Sequence, residues 1–66
     1  MKINRKKLEL AMARSCMDSS DLSIVSGLPS ATVKNAITGK GIRPSTMGKI
    51  AKALNVDPSE LIEQED

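Results

Sequence analysis

An all-α fold of five short helices is the architecture this sequence predicts, and three observations carry it. Apolar residues recur at helical spacing, most regularly at Met47, Ile50, Ala51 and Leu54, which follow the i, i+3, i+4, i+7 pattern. Helix-start chemistry recurs as well, at Asn4, at Asp18 with Asp21, and at Asp57-Pro58-Ser59-Glu60. Between Asp18 and Arg43, two helical signals meet at Gly27 across a joint too short for anything but a tight corner. A chain of 66 residues is expected to form one domain, residues 1–66. It buries about 60% of the surface exposed on unfolding, which leaves a stability margin of a few kcal/mol.

Helix one is expected to take Asn4 as its cap and run to about Ser15, with Leu8, Ala11 and Met12 on its inner stripe. Helix two begins near Ser19, where Asp18 caps and Asp21 reaches back as in a capping box. Its inward face is read as Leu22 and Val25, with Ile24 beside them, before Gly27 supplies the left-handed residue that ends a helix. Leu28 plugs the core and Pro29 opens helix three, whose buried stripe is Val33, Ala36 and Ile37. Ser30, Ala31, Thr32, Lys34, Asn35 and Thr38 are left outside, a small, polar face free of acids. Helix four is placed from about Ser45 to Leu54, with Gly48 inside it for no reason the sequence gives. Helix five starts at Asp57 and presents Leu61 and Ile62, of which the core needs only one.

Composition narrows the function classes. With no Phe, Tyr or Trp, the core must be aliphatic, and modes of nucleic-acid binding that stack bases on aromatic side chains are disfavoured. With no histidine, near-neutral acid–base catalysis lacks its usual group, and the carboxylates are explained by caps and by the tail. No glycine-rich phosphate cradle, metal cluster or paired nucleophile is visible, so the chain is expected not to be an enzyme and to need no cofactor, metal or small-molecule substrate. The single cysteine, Cys16, reads as a small hydrophobe. No apolar run is long enough to span a membrane and no signal-peptide core follows MKINRKK, so a cytoplasmic location is expected.

The net charge of +2 conceals a strong asymmetry. Lys34, Lys40, Arg43, Lys49 and Lys52 face no acid in their stretch, and the first fourteen residues hold Lys2, Arg5, Lys6, Lys7 and Arg14 against Glu9. Asp57, Glu60, Glu63, Glu65 and Asp66 make the end acidic. Basic clustering of this kind is the footprint of a phosphate-binding surface, the alternative being solvated helix faces. The loop Gly39 to Pro44 is the best candidate: Gly41 allows close approach, a helix N-terminus follows, and Lys40 and Arg43 add charge.

The corner and its surroundings resemble the helix-turn-helix of the Cro/C1 (XRE) family of bacterial and phage repressors. The resemblance rests on DSSDLSIVSGLPSATVKNAITGKGIR, then RPST, KIAKALNV and DPSELI, covering roughly residues 8 to 62. It implies a lambda-repressor-like domain whose helices two and three form the helix-turn-helix, with helix three, about residues 29–38, as recognition helix in the major groove of double-stranded DNA. Ser30, Ala31 and Asn35 occupy the positions from which the family reads bases, with Thr32 and Lys34 beside them. Asn35 has the chemistry to bond adenine, Ala31 and the Thr32 methyl to pack on thymine, and Lys34 to reach guanine or phosphate. Ser19 and Ser20 at the start of helix two, and Lys40, Arg43 and Ser45 on the other side, would hold the DNA backbone.

Small members of the family pair through the C-terminal region, which here implies a homodimer joined by Leu61 and Ile62; against this, exposed Leu and Ile are common in monomers. Four positions depart from the family. Met12 and Ile37 stand where an Arg–Glu pair is frequent and are expected to touch. Cys16 replaces the usual glycine after helix one, so either it adopts positive φ at about 1 kcal/mol or the chain turns differently. Ser26 stands at a position often apolar, to bond back to a carbonyl or to lie at the margin of the core. A repressor of phage or mobile-element type is the leading expectation. The alternative is a protein-interaction module on the same fold, such as an antitoxin or an adaptor to the transcription machinery.

Overall fold

The computed structural model describes residues 1–63. Four helices, α1 (Arg5–Arg14), α2 (Ser19–Ser26), α3 (Ser30–Ile37) and α4 (Pro44–Ala53), are followed by a 3-10 turn, Pro58–Glu60. A fifth helix was expected from the Asp57 cap, and this is corrected. The capping box forms, with the Glu60 carboxylate accepting from the Asp57 amide at 3.0 Å, but the chain leaves helical geometry after one turn. A capping box is the same device at the head of a helix or of a single turn, so local chemistry does not set the length. Glu65 and Asp66, counted above in the acidic end, lie outside the described residues.

Local signals dictate the other starts. The Asn4 side chain accepts from the Lys7 amide at 3.0 Å, and Asp18 and Asp21 exchange side chain to backbone bonds at 2.9 and 3.2 Å. The Asp21 amide is the main reason that the Asp18 carboxyl is held below its usual value; the Ser59 hydroxyl and amide do the same for Asp57.

Three helices end alike. Gly39 after α3, Cys16 after α1 and Asn55 after α4 take φ of 83°, 55° and 56°. In each, the next amide reaches back five residues, Lys40 to Asn35 at 3.0 Å, Met17 to Met12 at 2.9 Å and Val56 to Ala51 at 3.0 Å. This is the Schellman arrangement. Asn tolerates the left-handed region well, whereas cysteine does not. Cys16 is thus exposed in a strained turn, and the reading of it as a small hydrophobe is corrected.

The core is Ile3, Leu8, Ala11, Met12, Leu22, Leu28, Val33, Ala36, Met47, Ile50, Ala51, Leu54 and Leu61, all aliphatic as the composition requires. α2 packs on α3 and α4, and α1 on α3. Met12 lies in the core and Ile37, only half-buried, packs against it.

The inner face of α2 differs from expectation. Val25 and Ile24 are 55% and 77% exposed. The buried stripe is Ser19, Leu22, Ser23 and Ser26, with the serines half-buried around a fully buried leucine. That stripe keeps helical spacing but is three-quarters polar, so apolar letters misphase the helix. Its hydroxyls are satisfied locally: Ser23 Oγ donates to Leu28 O at 2.6 Å, and Ser26 Oγ donates to Ser23 O at 3.4 Å while accepting from the Leu28 amide at 3.3 Å. Serine here ties the corner between α2 and α3.

The amino-terminal segment is the other departure. Ile3 is 1% exposed and faces Ile62 in an antiparallel bridge, with Asn4 donating to Leu61 O at 2.8 Å and Glu63 to Lys2 O at 3.0 Å. On its other side Met1 and Ile42 exchange backbone bonds at 2.9 and 2.6 Å. A strap of backbone pairings thus ties both ends of the described chain to the loop after α3.

Gly48 has open space where a Cβ would stand, and it lies inside α4 at ordinary helical φ. Gly48→Ala is therefore expected to stabilise the chain by about 1 kcal/mol. Cys16→Gly, relieving the left-handed turn, is expected to add a similar amount, about 1 kcal/mol. Urea unfolding of each variant and of the pair checks both, and the effects should add because the sites are independent.

Candidate nucleic-acid interface

Two helix starts and one loop build the candidate surface. α3 is anchored by Val33 and Ala36, both fully buried. This phase turns Ser30, Ala31, Lys34 and Asn35 outward, all four exposed, while Thr32 is half-buried at the edge. Among the described residues no intramolecular hydrogen bond uses the side chain of Ser30, Lys34 or Asn35; the Asn35 carbonyl accepts from the Lys40 amide and the Thr38 hydroxyl. Its carboxamide therefore keeps a full set of donors and acceptors for a partner.

Between α2 and α3 lies an open groove of about 220 Å³ lined by Ser19, Ser20, Ser23, Ile24, Ser30 and Lys34. It brings four of the sequence-derived positions together and adds Ile24, which the sequence reading had assigned inward. Ser19 is half-buried and Ser20 exposed, and neither hydroxyl has an intramolecular partner among the described residues. The capping box, however, occupies the Asp21 amide and sets two carboxylates beside them, which weakens this helix start as an anion site.

The opposite flank has no such opposition. Arg43 is the N-cap of α4 with extended backbone and no side-chain cap, and Pro44 occupies the first helical position. The amides of Ser45 and Thr46 at this start are left without a capping acceptor, next to exposed Arg43, Lys40 and Ser45. Because the Lys40 amide is bonded to Asn35 O, the charged loop is locked to the end of α3.

The two remaining positions do not belong here. Leu61 is 0% exposed and inside the chain's own core, so its assignment to a dimer interface is corrected; Ile62 is half-buried in the bridge with Ile3. The 3-10 turn brings Leu61 down onto α4 instead of presenting it on a helix face.

A short helix seated across the start of a second, outward-facing helix, joined by Gly27 in left-handed conformation, defines a helix-turn-helix. The chain matches the Cro/C1-type helix-turn-helix DNA-binding domain over residues 7–66, and belongs to that family. No curated protein sequence matches it. Solved structures with the same fold include native PhpD with cadmium atoms, at 24% identity and TM-score 0.84, and a point mutant of hydroxyethylphosphonate dioxygenase, at 24% identity and TM-score 0.85. Each is similar over 100% of this chain, which spans 14% of theirs. That likeness shows a shared fold. Among the described residues no helix is long and apolar enough to cross a membrane.

Proposed function

We propose that the chain is a cytoplasmic transcriptional regulator that binds a specific double-stranded DNA site and represses by occupying it. The observation that carries this reading is the outer face of α3, exposed, free of acids and with the side chains of Ser30, Lys34 and Asn35 unspent, set beside the cations Lys40 and Arg43 and the uncapped start of α4. α3 enters the major groove, where Asn35, Lys34, Ser30 and Ala31 meet base edges, while Lys40, Arg43 and Ser45 hold phosphates. The chain acts by binding and not by catalysis, in keeping with a sequence that has no histidine and sets its acids at caps and in the tail. Short side chains supply roughly 1 to 3 kcal/mol per good base contact, so two copies on half-sites about 34 Å apart supply the specificity one copy lacks.

Selection from a random duplex pool tests this. The expected result is one enriched site with two-fold symmetry, bound with an affinity that falls steeply as salt rises. Recovery of no sequence above the starting pool would overturn it. A second reading, a protein-interaction module, is favoured by one observation, the exposed Ile24 and Val25 on α2 beside Asp21. Under that reading the chain retains a partner protein and ignores duplex sequence.

A further inference from the structure

From the strap at the amino-terminal end, we infer that Lys2 is a DNA-phosphate contact, carried to the loop flank of the interface by backbone pairing and not by its place in the sequence. The inference rests on the DNA-binding reading above. Met1 and Ile42 exchange both backbone hydrogen bonds, which sets the first residues roughly 5 Å from the loop that bears Lys40 and Arg43. Side chains alternate along this pairing. Ile3 is driven into the core at 1% exposure and Ile42 is half-buried, so Lys2 is turned outward together with Gly41 and Arg43, all three exposed. Gly41 has open space where a side chain would stand, leaving nothing on that rim to shield Lys2 from Arg43's side.

The position is held from both edges. Glu63 donates to Lys2 O and Asn4 to Leu61 O, so the segment is hydrogen-bonded through its backbone on both sides. Glu63 stands across from Lys2, yet the sole ion pair among the described residues is Arg5 with Glu9. Among the described residues no ion pair engages the Lys2 ammonium. The chain continues from Lys40 through its amide to Asn35 O, so a rigid backbone path joins Lys2 to the helix that enters the groove. Two cations, Lys2 and Arg43, thus share one rim, with the open start of α4 behind them.

The test compares Lys2→Gln and Lys2→Arg with the parent chain on the duplex recovered by selection, titrated at several salt concentrations. Each phosphate contact contributes about 0.9 to the slope of log K against log salt. For Lys2→Gln the expected slope is shallower by about 0.9, with affinity roughly fivefold lower at 0.15 M salt, equally on specific and random duplexes, and with an unchanged melting temperature. Lys2→Arg should restore the parental slope. An unaltered slope and affinity in Lys2→Gln overturns the inference while leaving the DNA reading intact. Absence of salt-dependent duplex binding in the parent chain would overturn both.

Discussion

Combining Lys34→Glu with Asn35→Ala is expected to lower affinity for the selected duplex by about a hundredfold or more while the chain keeps its melting temperature. Loss of a bidentate contact from Asn35 removes roughly 1 to 3 kcal/mol. Charge reversal at Lys34 turns an attraction to the polyanion into a repulsion, and a total near 3 kcal/mol is about a hundredfold in affinity. Both side chains are exposed and neither makes an intramolecular hydrogen bond among the described residues, so folding has nothing to lose there. Alanine is also the better helix former. The Asn35 carbonyl keeps its bonds to Lys40 and Thr38, since the substitution leaves the backbone alone. Titration on the selected and on a scrambled duplex, alongside thermal unfolding, separates the cases. Parental affinity in the double variant would remove α3 as the reading element.

The two flanks of that helix are unequal in a way that bears on how DNA is held. The α2 start offers two hydroxyls but has its amides shared with the carboxylates of Asp18 and Asp21. The loop flank offers Lys40, Arg43 and an uncapped start to α4, with no acid between residues 34 and 56. Positive charge is therefore concentrated on one side of α3, and the Ser23 to Leu28 bond ties α2 to its start.

Much of this was legible in the sequence because it is local. Caps at Asn4 and Asp18, the left-handed Gly27 and Gly39, and the buried stripe of α4 all follow from residues within one or two turns of each other. The exposed set on α3 was legible too, since Val33 and Ala36 fix its phase. What failed was of two kinds. α2 is two turns long and wraps serines around one leucine, so hydrophobicity pointed to Val25 where packing chose Ser26. The strap depends on pairings between residues about forty and sixty positions apart, which no periodicity records; with it went the burial of Ile3, the role of Leu61 and the position of Lys2.

Leu61→Ala is expected to lower the melting temperature by more than about 10 °C, whatever the protein concentration. The side chain is fully buried beneath α4, among Ile3 and the other aliphatic residues, and truncating a buried leucine costs roughly 2 to 5 kcal/mol. A chain of this size has on the order of 3 to 10 kcal/mol in all, and each kcal/mol shifts its midpoint by about 4 to 8 °C. With no aromatic residue to supply surplus burial, the loss is proportionately larger. Melting followed by circular dichroism at two concentrations tenfold apart distinguishes core from interface. A core residue gives the same fall at both, whereas an interface residue leaves the dilute sample unaffected. The damage should also spread toward the DNA-facing side. Leu61 O accepts the Asn4 amide, Asn4 caps α1, and the same segment pairs with Ile42 in the loop that bears Lys40 and Arg43, so loosening this one leucine frees the cations at the other edge of the strap.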